Sequence, residues 1–218
     1  MLYTEGALEK TEPIVFIPPV HWNYYPYRDQ ELPLALARKG YSCIYLNPVA
    51  YRGSEKAMRF RQVHNREEQP NIRIIERSSS LGKSALELIR ENILNVRALG
   101  KFKPAAVISS DHLMSIGVCL YSRLKGISFV FDVTDDWEQV DQSLAGKIYK
   151  FILKPMLARF SYAITCTSER QFNYFHKRRS DQTFLISNGI NPQLLAQLEE
   201  EKPTIGSGQA VNFIGSLR

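Results

Sequence analysis

Short apolar runs of about five residues, the usual length of a core strand, alternate along this chain with longer amphipathic stretches. Residues 13–17 form the first run, stopped by Pro18-Pro19. Asp29 can then cap a helix reaching about Lys39, with Gly40 as its stop. Residues 42–46 read as a second strand ended by Asn47-Pro48, and 72–76 as a third. Residues 84–99 carry Leu86, Ile89, Ile93, Leu94 and Val96 at helical spacing. A strand over 104–109, an apolar helix over 114–124 and a strand over 127–131 follow. Residues 143–162 predict a helix kinked at Pro155. After a strand at 163–166, Ser168 and Gln171 match a capping box that opens the next helix. Residues 183–186 are a further strand, and Asn191-Pro192 starts another helix. Residues 199–208 have linker composition, and 211–214 read as a last strand. Strands alternating with helices in this way predict an α/β protein with a doubly wound, Rossmann-like parallel sheet.

The run from Gly126 through Phe131 ends in Asp132, Asp135, Asp136 and Trp137. Ligands of open α/β sheets sit beyond the carboxyl ends of the strands, so these carboxylates are candidate site residues. Their plainer use is to cap the turn that follows. Asp111 and His112 end the neighbouring strand and face the same crevice. The loop after the first strand concentrates His21, Trp22, Tyr24, Tyr25, Tyr27 and Arg28. Its rings can stack on a sugar or base, with Arg28 gripping a phosphate or carboxylate. Trp22 and the tyrosines can equally pack against neighbouring helices.

Composition narrows this little: 44% hydrophobic and 23% charged residues are those of an ordinary globular protein. A net charge of +6 suits an anionic partner without choosing one. Cys43, Cys119 and Cys166 sit in apolar segments with no metal spacing, as buried free thiols of a reducing compartment would. The four histidines show no metal spacing either. The start lacks the pattern of a secretory signal and no apolar run is long enough to span a membrane, so a cytoplasmic location is expected. The dinucleotide fingerprint, the phosphate-binding P-loop and the nucleophile elbow are all missing. Between Gln142 and Ser168 there is no acidic residue, while Lys147, Lys150, Lys154 and Arg159 punctuate an apolar helix. That pattern fits a core helix with a solvated basic edge, or a helix lying on an anionic membrane.

Taken in order, four segments resemble the N-terminal half of a GT-B glycosyltransferase of the family 4 type. Phe131-Asp132-Val133-Thr134-Asp135-Asp136-Trp137 is similar to the family's acceptor-facing segment, and 163–169 to its strand leading into Ser-Glu. Ser187-Asn188-Gly189-Ile190-Asn191 resembles its Asn-Gly turn, and 213–218 the strand that opens its C-terminal domain. The family's Gly-Gly loop is replaced here by the aromatic loop, as in members acting on bacterial surface polysaccharides such as teichuronic acid. The resemblance implies transfer of a sugar from a nucleotide-sugar donor to a saccharide or lipid-linked acceptor, with retention and without a metal or other cofactor. It casts Asp132, Asp135 and Asp136 as catalytic, and His21, Trp22, Tyr25, Arg28, Asp111, His112 and Trp137 as acceptor-side binding residues. It makes 1–199 the acceptor-side domain and 200–218 the linker and first strand of a donor-binding domain that would follow. The chain by itself is then expected to be inactive, with a peripheral membrane contact and no nucleic-acid partner. Two other readings stay open. A phosphatase of the haloacid dehalogenase type needs Asp-x-Asp, but Thr134 holds the second position. A non-catalytic Rossmann-like module would simply bind an anionic partner.

Overall fold

The computed structural model describes residues 12–23, 28–48, 70–76, 85–111, 113–134 and 144–188. The chain divides into two compact units, Met1–Ser187 and Asn188–Arg218. All the described residues except Asn188 lie in the first. The expected helix after Asn191 and the expected strand at 211–214 fall outside the described residues.

Seven parallel strands build one sheet, in the order β3-β2-β1-β4-β5-β6-β7. They are β1 (Ile14–Ile17), β2 (Cys43–Leu46), β3 (Ile72–Ile75), β4 (Ala106–Ser109), β5 (Ser128–Val133), β6 (Ala163–Cys166) and β7 (Thr183–Leu185). Among the described residues the helices are α1 (Arg28–Arg38), α2 (Ala85–Phe102), α3 (Ser115–Lys125), a composite α4 over 144–160 and α5 (Glu169–His176), with a short 3-10 turn at Ser180–Gln182. The strand order turns back between β1 and β4, which makes their carboxyl ends the switch point of the sheet.

Side chains alternate across each strand, and the two core clusters follow that parity. Ile14, Phe16, Cys43, Tyr45 and Ala106 pack beneath Leu34 and Ala37 of α1. Val15, Ile17, Val107, Phe129, Phe131 and Ile164 pack on the opposite face with Leu99, Val118, Leu157 and Phe175 of the other helices. Both faces are covered, so β1 and β2 are buried at every position, as their unbroken apolar runs require.

Local rules explain most of the boundaries. Gly40 closes α1 with φ 87°, where its N–H reaches Ala37 O and that of Tyr41 reaches Leu36 O, the Schellman pattern. Gly126 ends α3 in the same left-handed region with φ 72°. Ser168 caps α5 by accepting from Gln171 N–H, while Gln171 Oε1 turns away to accept from Lys154 Nζ at 3.2 Å.

Three expectations are corrected. β5 runs two residues past Phe131, because Asp132 and Val133 pair in register with Thr165 and Cys166 of β6. Asp132 is therefore inside the strand. The helix expected to kink at Pro155 carries a π-helical turn, Tyr149–Leu153, just before that residue, with Lys154 N–H bonded to Tyr149 O. Leu86, Ile89 and Ile93 of α2 are exposed, and the buried line runs instead through Glu91, Asn95 and Leu99. Neighbouring α3 decides this: Asn92 bridges Leu113 O and Gly117 N–H, and a Cβ at Gly117 would lie 3.0 Å from Asn92 Oδ1. Lys154 is buried rather than on a solvated edge, its ammonium 3.8 Å from the Tyr174 ring centroid. Arg179, beyond α5, donates from Nη1 to Ala158 O, Arg159 O and Ser161 O, closing the C-terminus of α4.

The cysteines are free and buried. Burial pushes Cys43 and Cys119 up to about 11 and Cys166 to about 12, so little reactive thiolate forms. The native protein should resist a disulfide reagent at pH 8, and urea-unfolded protein should release three equivalents. Prompt labelling of the native chain would contradict this burial.

Candidate functional site

The carboxyl edge of the sheet gathers two polar clusters. The first centres on Asp132. Strand register sets Phe16 beside Ile108 and Ile108 beside Val130, so Val130, and Asp132 two residues on, share the α1 face. There α1 begins. Arg28 Nε donates to Asp132 Oδ2 at 2.8 Å and Nη2 to Oδ1 at 3.1 Å, a two-point fork across 104 residues of sequence. Thr165, the cross-strand partner of Asp132, donates its hydroxyl to Oδ1 at 2.5 Å. Arg28 Nη1 also reaches Ile186 O at 3.1 Å, tying the end of β7 to the start of α1. Asp132 is 2% exposed, so its charge is matched almost entirely inside the protein.

Next to Arg28, Asp29 does not cap the helix. It lies within the first turn of α1 and its Oδ1 accepts from the Ser110 hydroxyl. Loss of hydration raises its carboxyl from 3.8 to about 6, opposed by the Ser110 hydrogen bond and reinforced by the charges of Asp132 and Asp111. Arg28 lowers it by a smaller amount. Asp29 therefore keeps its proton to a higher pH than an ordinary carboxyl, beside Ser110 just past the end of β4. Asp111 has a local duty: its Oδ1 accepts from the N–H groups of Leu113 and Met114, both at 3.0 Å, and so shapes the turn into α3.

The second cluster sits beyond β1, β2 and β3. Both ring nitrogens of His21 are engaged, Nδ1 by Asn23 N–H at 3.3 Å and Nε2 by Asn47 at 3.1 Å and Glu76 at 3.3 Å. Asn47 Nδ2 also donates to Glu76 Oε1 at 2.6 Å. Gln30 and Tyr45 hold the loop from beneath through His21 O and Val20 O. Trp22 is 3% exposed, its ring edge-on to Tyr45 with centroids 4.9 Å apart and its backbone N–H donating to Asn47 Oδ1. It packs in the core.

Of the residues singled out from sequence, the structure thus brings Arg28 and Asp132 together, with Asp111 close by. His21 and Trp22 stand in a separate cluster. Tyr25, His112, Asp135, Asp136 and Trp137 lie outside the described residues. Asp29 and Thr165 are members that sequence reasoning read as a helix cap and a plain strand residue. Thr165 had a signal, since a polar residue inside an apolar strand beside the central one needs a partner. Among the described residues no group of three or more His, Cys, Asp or Glu side chains is placed to hold a metal ion.

No protein-family model matches this chain, and no curated protein matches it in sequence. Solved structures do match its fold. UDP-N-acetylglucosamine 2-epimerase from Rickettsia bellii superimposes with a TM-score of 0.57 at 15% identity, over 89% of this chain and 50% of that one. Sucrose-phosphate synthase from Thermosynechococcus elongatus gives 0.60 at 15% identity, over 86% of this chain and 52% of that one. A second structure of that synthase gives 0.56 at 12% identity, over 87% of this chain and 96% of that one. The chain spans about half the length of the first two. Its fold is an α/β, Rossmann-like parallel sheet, that of the N-terminal half of a GT-B fold.

Proposed function

We propose that this chain is the acceptor-side domain of a retaining glycosyltransferase, which moves a sugar from a nucleotide-sugar donor to a saccharide or lipid-linked acceptor in bacterial surface-polysaccharide synthesis. The observation that carries the proposal is the buried Arg28–Asp132 pair beside Asp29, at the switch point of a sheet with a glycosyltransferase-type fold. In this reading residues 1–199 form the acceptor side, and 200–218 lead into a donor-binding domain. Asp135 and Asp136 orient the acceptor hydroxyl, and the buried carboxylate of Asp132 helps offset positive charge developing on the transferred sugar. Arg28 fixes Asp132 in place. Tyr25, His112 and Trp137 shape the acceptor pocket, with Asp111 building its wall and His21 and Trp22 supporting it from the β1 side. No metal takes part, and the work is done at the cytoplasmic face of the membrane.

The test is sugar transfer from a panel of radiolabelled nucleotide sugars by protein expressed from the complete reading frame, with a membrane extract supplying acceptors. Transfer should retain the donor's anomeric configuration and survive EDTA. Asp132→Asn, Asp135→Asn or Asp136→Asn should lower kcat by about 100-fold or more for at least one position, the scale of losing one preorganised electrostatic contact. Failure to consume any nucleotide sugar, or full activity in all three variants, would overturn the proposal.

A further inference from the structure

Two neighbouring helices carry large apolar side chains on the outside of the domain. Leu86, Ile89 and Ile93 of α2 are 78%, 57% and 47% exposed, and Leu120 and Leu124 of α3 are 37% and 84% exposed. A helix that only covers the core turns polar side chains outward. Helical spacing places these five together. Asn92 of α2 accepts from Gly117 N–H, and Gly100 lies against the Tyr121 hydroxyl, which fixes the sides on which the two helices touch. At about 100° per residue, Ile89 and Ile93 fall on the solvent side of that contact on α2. Leu120 and Leu124 do the same on α3, so the five side chains border one seam. It runs about the length of the 18-residue α2, roughly 27 Å. Arg90 and Arg97 stand along the outer flank of α2 and Arg123 along that of α3, all three exposed. Among the described residues none of the three makes an ion pair. Glu91, the one acid of these helices whose side chain is described, is buried.

We infer that this seam receives an amphipathic helix of a partner protein, its apolar stripe entering between α2 and α3 while carboxylates on both its edges meet Arg90, Arg97 and Arg123. A helix laid along two others buries its stripe against both, the groove mode of helix recognition. Charge decides the occupant. A second copy of this face would set arginine against arginine, which repels. The flanking cations are arginines, whose fork matches a carboxylate and which are enriched at protein contacts where lysine is depleted. The seam exposes no aromatic ring of the kind that anchors a helix face in lipid. Its residues belong to neither polar cluster of the carboxyl edge, and the inference does not rest on the function proposed above.

The test uses the 218-residue chain and two fluorescent helical peptides of 18 residues, the length of α2. Both carry leucine at every third or fourth position; one has glutamate along the flanks of that stripe, the other lysine. In anisotropy titrations at low salt the glutamate peptide should bind at least about tenfold more tightly than the lysine peptide. Arg90→Glu with Arg97→Glu and Arg123→Glu should reverse that preference, because the repulsive element then faces the other peptide. Ile93→Ser with Leu124→Ser should weaken the glutamate peptide about tenfold or more. All five positions are exposed, so melting temperature should hold within a few degrees and separate lost docking from lost folding. No binding of the glutamate peptide by the folded chain, equal binding of the two peptides, or unchanged binding in both sets of variants would overturn the inference. So would a dimer in sedimentation, or binding to phosphatidylglycerol vesicles, that the Ile93 and Leu124 changes abolish, since the face would then belong to a second copy or to lipid. Every outcome is read without a nucleotide sugar and leaves the transfer assay untouched.

Discussion

Arg28→Met should destabilise the domain by about 3–5 kcal/mol, the cost of leaving a buried charge without its partner. Asp132 is 2% exposed and takes two of its hydrogen bonds from this one guanidinium. Its remaining described partner, the Thr165 hydroxyl, carries no charge. The same change removes the donor to Ile186 O, so the end of β7 loses its tie to α1. Urea denaturation measures the loss, and the pair should respond little to salt because water scarcely reaches it. Arg28→Met combined with Asp132→Leu should recover most of it, because two apolar side chains leave no unpaired charge behind. A single-variant loss under about 1 kcal/mol would show that the pair does not hold the crevice together.

Asp29 has the opposite effect on stability. Its folded carboxyl titrates near 6 and its unfolded one near 3.8. Between those values the folded protein keeps a proton that the unfolded chain releases, so stability falls as pH rises through the window and levels off above about pH 6. The contribution is at most about 3 kcal/mol, because a tenfold change in proton affinity is worth about 1.4 kcal/mol, and water at the crevice side trims it. Asp29→Asn keeps an oxygen for the Ser110 hydroxyl and removes the charge. The variant should melt about 5 °C higher at pH 8, the change expected for a gain of about 2 kcal/mol in a domain of this size. Its stability should also lose the downward slope between pH 4 and 6. Equal melting of the two proteins at pH 8 would refute the raised carboxyl. A carboxylate kept in the crevice at the expense of stability is how perturbed functional groups arise. The same variant should therefore lose activity in the transfer assay even as it gains stability.

Much of the fold is legible in short stretches of chain. The unbroken apolar runs of β1, β2 and β4 announce strands buried on both faces, and Gly40 and Gly126 mark the helix ends because no other residue enters the left-handed region so cheaply. Ser168 announces the start of α5. Each of these rests on contacts within a few residues, so the sequence alone determined the described elements, their order, and from that order a parallel sheet.

Which side chains face inward, and which carboxylate meets which cation, was settled only by tertiary structure. The apolar stripe of Leu86, Ile89 and Ile93 reads as the buried face of α2, yet packing against α3 buried Glu91 and Asn95 instead. Asp132 reads as the residue after a strand, yet pairing with β6 drew it into β5 and buried it. Arg28 reads as free to hold a ligand, yet the close of α1 onto β5 gave it Asp132, 104 residues away. Periodicity reports that a helix has two faces and a strand has two sides. The choice between them is made by neighbours that only folding supplies, because burial energy depends on what packs against a surface and not on the surface alone.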